Sequence, residues 1–180
     1  NNSALVAPQI LTPQNDFLMV HAMQDVIRNG TGRLALSLKR SDLAGKTGTT
    51  NNKMDAWFCG FDSNLVATVW MGFDNQQSLY EYASKSALPI WVDFMKNALP
   101  TLPQVSMAVP SHIISVRIDP KTGLLATPGE KNSIFEYFRK GNAPTQFTHS
   151  PKQPEPNWAF HEDNVHSQFN NNPSTSDELF

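Results

Sequence analysis

The sequence predicts an α/β domain of the α+β kind, with an antiparallel sheet flanked by helices. Three observations carry that reading. Two β-rich runs, 55–61 and 65–73, are joined only by Asp62-Ser63-Asn64, a connection of hairpin length. Both faces of these runs bear apolar residues, as expected of a sheet covered by helices on each side. Stretches of helical period at 13–29 and 88–99 supply the covers.

The elements follow in chain order. After an extended Leu5 to Leu11, Thr12 followed by Pro13 reads as an N-cap with proline at the first helical position. Phe17, Val20, Met23, Gln24 and Ile27 share a helical face, and Asn29-Gly30 is the stop. Thr31 to Arg40 fits either a short basic helix or a loop. Leu43 to Thr50 reads as a strand, and Asn51, Asn52 and Lys53 as a polar turn. Trp57, Cys59 and Phe61 share one face of the next strand; Leu65, Ala67, Val69, Met71 and Phe73 share one face of its partner. Asp74 to Ser86 has no clear period and reads as a loop. Leu88, Trp91, Val92, Met95 and Leu99 then form an apolar stripe bracketed by Pro89 and Pro100.

From Ser111 the pattern is extended again over Ile113 to Ile118. Asp119 to Gly123 is a turn with glycine where a positive φ is wanted, and Ser133 to Lys140 reads as a short helix stopped at Gly141. Beyond Ala143 the composition changes. Five of the 13 prolines lie there, and no Lys or Arg follows Lys152, so an acidic, Pro/Asn-rich and largely disordered tail is expected over 143–180.

Composition sets the outer bounds. With 180 residues there is enough chain for one real core, and 14 basic against 16 acidic residues give no support to nucleic-acid binding. The lone Cys59 excludes an intrachain disulfide and a multi-cysteine zinc site, and His21, His112, His149, His161 and His166 lack ligand spacing, so neither metal nor cofactor is expected. No apolar run reaches membrane-spanning length, and no signal peptide opens the chain. A start at Asn1 and a polar end make the sequence read as a fragment.

The chemistry concentrates in Ala44-Gly-Lys-Thr-Gly-Thr49. One short strand offers a cation at Lys46, hydroxyls at Thr47 and Thr49, and at Gly48 a residue without a side chain. An ammonium supplies field, hydroxyls donate to a carboxylate, and glycine lets a ligand backbone approach. The set suits an anion beside a reacting carbonyl. Strict alternation sends Lys46 and Thr47 to opposite faces, so a joint site requires the side chains to lean over the strand's rim.

Arg28-Asn-Gly-Thr-Gly-Arg33, Leu43-Ala-Gly-Lys-Thr-Gly-Thr-Thr-Asn51, Asp55-Ala-Trp-Phe58, Val66-Ala-Thr-Val-Trp70, Gly72-Phe-Asp74 and Leu88-Pro-Ile-Trp91 together resemble class A penicillin-binding proteins, the 1a type most closely. Their order and spacing match the C-terminal half of the transpeptidase domain over residues 1–100. Val116 to Pro120, Thr122-Gly123 and Ala143 to Gln146 resemble the segment that follows, which makes 101–142 an extension with short strands. The resemblance implies the penicillin-binding transpeptidase and serine β-lactamase-like fold, a D,D-transpeptidase activity through a serine acyl-enzyme, and a place on the periplasmic face of a bacterial inner membrane with the anchor upstream. The D-Ala-D-Ala end of a peptidoglycan stem peptide and β-lactams are the implied ligands.

Residue by residue, the resemblance implies that Lys46 supplies charge and a proton path, while Thr47 and Thr49 hold the carboxylate. It makes Gly48 the point of close approach, and the Thr49 backbone N–H half of an oxyanion hole. Two departures stand out. No serine here has lysine three residues on or asparagine two residues on, so the Ser-x-x-Lys nucleophile and the Ser-x-Asn element are expected upstream and the chain alone to be catalytically incomplete. Ala83-Ser-Lys-Ser-Ala87 also stands where the family often has a Gly-Gly pair.

Rival readings are a D,D-carboxypeptidase or serine β-lactamase of the same fold, or a non-catalytic binding fragment. Several residues also have a plainer role. Asp55 fits a site or a turn cap equally. Trp57, Phe58 and Trp70 are expected in the core rather than lining a groove, and Cys59 is expected as inert filling. Asn29-Gly-Thr31 fits a glycosylation sequon, but stopping a helix accounts for it.

Overall fold

The computed structural model describes residues 8–149. The start of the extended segment at Leu5 and the tail beyond 149 lie outside the described residues. Helix α1 spans Pro13–Arg28; Thr12 caps it by accepting from Asn15 N at 3.3 Å, and Pro13 stands in its first turn. Its Phe17 and Ile27 are buried. The stretch open to two readings folds as a 3₁₀ helix, Arg33–Leu38, closed by Lys39 at φ 54°.

Strands β1 (Ala44–Thr49), β2 (Ala56–Phe61) and β3 (Val66–Met71) form one antiparallel sheet in the order β1-β2-β3. Gly45 stands opposite Gly60, Thr47 opposite Phe58 and Thr49 opposite Ala56, so these residues share a face. Helix α2 (Ala87–Ala98) packs on that face through Ala87, Leu88, Trp91 and Met95, its heptad-like spacing matching the predicted stripe. The Trp91 ring meets Phe58 edge-on at 4.9 Å, and its Nε1–H donates to Ala67 O at 3.1 Å, tying α2 to β2 and β3. Only glycine fits beneath it, since a Cβ on Gly60 would lie 2.5 Å from Trp91 Cζ2.

The opposite face carries Lys46, Trp57, Cys59, Val66, Thr68 and Trp70. Here the structure departs from expectation. Phe58 is fully buried, but Trp57 is 40% and Trp70 46% exposed, and Cys59 is exposed as well. Alternation turns all three away from α2, and among the described residues that face stays open.

Arg40 binds the sheet's margins together. It donates to Asp42 through Nε (2.9 Å) and Nη2 (2.6 Å), to Asp62 at 3.0 Å, and to the carbonyls of Leu102 and Pro103. The entry to β1, the β2–β3 turn and the chain beyond α2 thereby meet at one guanidinium.

Strands β4 (Ile113–Ile118) and β5 (Ile134–Arg139) form a second antiparallel pair. The helix expected at Ser133 to Lys140 is therefore a strand. Ile-Phe-Glu-Tyr-Phe-Arg is rich in residues that suit a pleated surface, and every one of them pairs with β4. The turn at Asp119 to Gly123 is as expected, with Gly123 at φ 72°. Tyr137 packs edge-on against Phe17 at 5.0 Å, joining the pair to α1.

Two predictions follow from this packing. Gly60→Ala should cost about 1–3 kcal/mol in denaturant unfolding, because Trp91 is buried on all sides. Arg40→Met should cost about 3–5 kcal/mol at neutral pH by stranding two buried carboxylates. Burial pushes the Asp42 carboxyl up, but Arg40 and the Val105 N–H outweigh it and hold it below the ordinary carboxylate range. The Asp42 contribution is thus complete above the ordinary carboxylate pKa and is lost as pH falls through the lowered folded value. Acid titration of stability should show that loss in the native chain and a weaker one in Arg40→Met.

Candidate functional site

Strand β1 pairs with β2 on one side only, so among the described residues its other side is an open edge. Backbone donors alternate in direction along a strand. Thr50 N donates to Asp55 O across the turn at 3.1 Å, which directs the Thr49 N–H to the open edge. The same alternation turns the Thr47 carbonyl outward. Lys46 Nζ takes it at 2.8 Å.

That bond shows how the alternation problem is resolved. Lys46 belongs to the open face and Thr47 to the α2 face, yet the lysine leans across the rim until Nζ stands 3.5 Å from Thr47 Oγ1. Thr31, from the loop after α1, brings a second hydroxyl to 2.7 Å from Thr47 Oγ1. An ammonium and two hydroxyls converge on one exposed corner. Sequence reasoning did not place Thr31 there, and the only signal available was its position between Gly30 and Gly32 in the Arg28 to Arg33 match.

Gly48 and Thr49 divide the remaining roles. A Cβ on Gly48 would lie 3.3 Å from Trp57 Cβ, so the missing side chain opens the Lys46 face beside that tryptophan. Thr49 Oγ1 accepts from Ala83 N at 3.2 Å, fastening the 74–86 loop to the end of β1. The same loop is anchored on the 51–53 turn, with Leu79 N donating to Lys53 O and Ser78 Oγ to Asn52 O. Ala83, which stands where the resemblance expects a glycine pair, is fully buried.

Asp55 acts as the turn's cap. It accepts from Thr50 Oγ1 at 3.1 Å while its own N–H donates back to that hydroxyl at 2.8 Å. Its other oxygen takes Trp70 Nε1–H at 3.0 Å. Both carboxylate oxygens thus have partners within the chain. Among the described residues no group of three His, Cys, Asp or Glu side chains is arranged to hold a metal ion, and no helix is long and apolar enough to cross a membrane. A cavity among the described residues, lined by Leu34, Leu38, Val92, Asp93 and Leu99 among others, includes none of residues 46–49. The convergent polar groups sit instead on an exposed strand edge.

Comparison with known proteins agrees with the family resemblance. The family description "Penicillin-binding protein 1A, C-terminal domain" matches residues 109–150, the region of β4 and β5. Penicillin-binding protein 1A of Pseudomonas aeruginosa is 46% identical over 147 residues, covering 81% of this chain and 18% of that protein. Its Vibrio cholerae counterpart is 39% identical over 168 residues, covering 78% and 20%. The crystal structure of penicillin-binding protein 1A from Haemophilus influenzae superposes with a TM-score of 0.70 at 36% identity, over 78% of this chain and 22% of that one. The fold is that of the penicillin-binding transpeptidases, and the chain belongs to the penicillin-binding proteins. Within them it is of the 1A type. The chain spans about a fifth of the length of the curated relatives it matches.

Thr49→Val should release the 74–86 loop from β1. Hydrogen exchange at the Ala83 amide is expected to quicken, with Thr49→Ser retaining the protection; unchanged exchange in Thr49→Val would show that the loop is held by its other anchors alone.

Proposed function

We propose that this chain contributes the anion-binding wall of a peptidoglycan D,D-transpeptidase, with the nucleophilic serine on sequence outside it. The observation that carries the reading is the meeting of Lys46, Thr47 and Thr31 at the open edge of β1, next to an outward Thr49 N–H. Similarity to penicillin-binding protein 1A supports it.

In this reading residues 1–100 are the C-terminal half of the transpeptidase domain, 101–142 a C-terminal extension and 143–180 a tail. A stem peptide ending in D-Ala-D-Ala lies along β1 and bonds to its free backbone groups by strand addition. The terminal carboxylate is held by the hydroxyl of Thr47, with that of Thr49 beside it, in the field of Lys46. The serine oxygen attacks the penultimate carbonyl, and the Thr49 N–H donates to the oxyanion that forms. The peptide bond breaks, the terminal D-Ala leaves as an amine after gaining a proton, and the acyl group remains on the serine as an ester. An amine of a neighbouring stem then attacks that ester, forming the cross-link and freeing the serine. A β-lactam takes the same path to the ester, its amide bond opening while both parts stay attached. No metal or cofactor is required. We place the reaction on the periplasmic face of the inner membrane, anchored by sequence upstream.

The test is acylation of the intact protein by a fluorescent penicillin. Lys46→Ala should slow acylation about 10²–10³-fold, as loss of a transition-state electrostatic group does in comparable sites; a normal rate would remove Lys46 from the mechanism. Rapid hydrolysis of the adduct would replace the transpeptidase with a water-using carboxypeptidase or β-lactamase. Labelling of the 180-residue chain by itself would overturn the placement of the nucleophile elsewhere.

A further inference from the structure

We propose that Thr31 is a positioning residue of the carboxylate subsite, orienting the Thr47 hydroxyl so that its proton faces the ligand. The inference rests on the reading of the β1 edge given above and extends it to a residue that the Lys-Thr-Gly-Thr run does not contain.

Thr31 is held in place by the way α1 ends. Asn29 N donates to Asp25 O, Gly30 N to Val26 O at 3.1 Å, and Gly32 N to Val26 O at 2.9 Å, so the chain folds back over the last helical turn. The flanking glycines permit that closeness. A Cβ on Gly30 would lie 2.9 Å from the Val26 backbone, and one on Gly32 3.2 Å from both Ile27 Cγ1 and Val26 O. Ile27 is itself buried in the core, so the loop carrying Thr31 inherits the position of α1. Its hydroxyl reaches Thr47 Oγ1 at 2.7 Å, the usual length of an O–H···O bond.

Proton arithmetic assigns the direction. Each hydroxyl has one proton to give and two lone pairs to receive. The Lys46 ammonium can only donate, and it stands 3.5 Å from Thr47 Oγ1 on the strand side. Its field favours Thr47 oxygen as an acceptor, which makes Thr31 the donor of the pair. The Thr47 proton is then left to point away from both, toward the carboxylate of a ligand on the edge. Without Thr31 that proton has no fixed direction, and part of the population directs it elsewhere.

The experiment compares the intact protein with its Thr31→Val and Thr31→Ser variants. Acylation rates are measured with a penicillin and with the same penicillin methyl-esterified at its carboxylate. Thr31→Val should slow acylation by the free acid about tenfold, the scale of one hydrogen bond, and leave the rate with the ester unchanged. Thr31→Ser should recover most of the loss. Equal losses with acid and ester, an undiminished rate with the acid, or failure of serine to rescue would each overturn the proposal. Thr47→Val is measured alongside. If it loses rate and Thr31→Val does not, only the role of Thr31 fails; if neither loses rate, the carboxylate reading of the β1 edge fails first. Thermal midpoints equal to that of the native protein confirm that exposed Thr31 was exchanged without unfolding.

Discussion

The structure depends on Trp91 lying over the glycine at position 60. A large indole seated directly on a strand backbone needs a residue with no side chain beneath it, an aromatic neighbour to pack against and an acceptor for its N–H. Gly60, Phe58 and Ala67 O supply these in turn. The contact settles which face of the sheet is covered, and through the β1–β2 register it settles which side of each β1 residue faces the core. Arg40 performs the matching task at the sheet's margin, where the approach to β1 would otherwise end in buried carboxylates without a counter-charge.

With β1 held in this way, its chemistry comes from being an edge. An interior strand would spend the Thr47 carbonyl and the Thr49 N–H on a neighbour. Here the carbonyl is taken by Lys46 and the N–H points outward. The lysine's reach back to its own strand brings a cation and a hydroxyl from opposite faces to a common corner. Thr49 has a double part, since its backbone serves the edge while its hydroxyl oxygen fastens the 74–86 loop. The site is therefore built of short-range backbone facts and two contacts from distant chain, Thr31 with Thr47 and Thr49 with Ala83.

Much of this was legible in the sequence because local signals were sufficient. The Thr12-Pro13 cap, the short β2–β3 connection and the α2 stripe each declare their element within a few residues. The Lys46 to Thr49 run, with its flanking matches, located the candidate site. What was missed required information from distant chain. The Ile134–Arg139 strand owes its form to β4 across an intervening loop, so its local pattern did not distinguish it from a short helix. Trp57 and Trp70 looked like core because both strand faces are apolar, and only the placement of α2 shows which face is covered. Thr31 stands 16 residues from Thr47, and nothing in the order of residues says that α1 ends beside β1.

The most direct test is a crystal structure of the intact protein acylated by a penicillin. The account predicts the drug's carboxylate within hydrogen-bond distance of Thr47 Oγ1, the Thr31–Thr47 bond preserved behind it, and the acyl oxygen on the Thr49 N–H. An adduct whose carboxylate and acyl oxygen both lie away from β1 would contradict it.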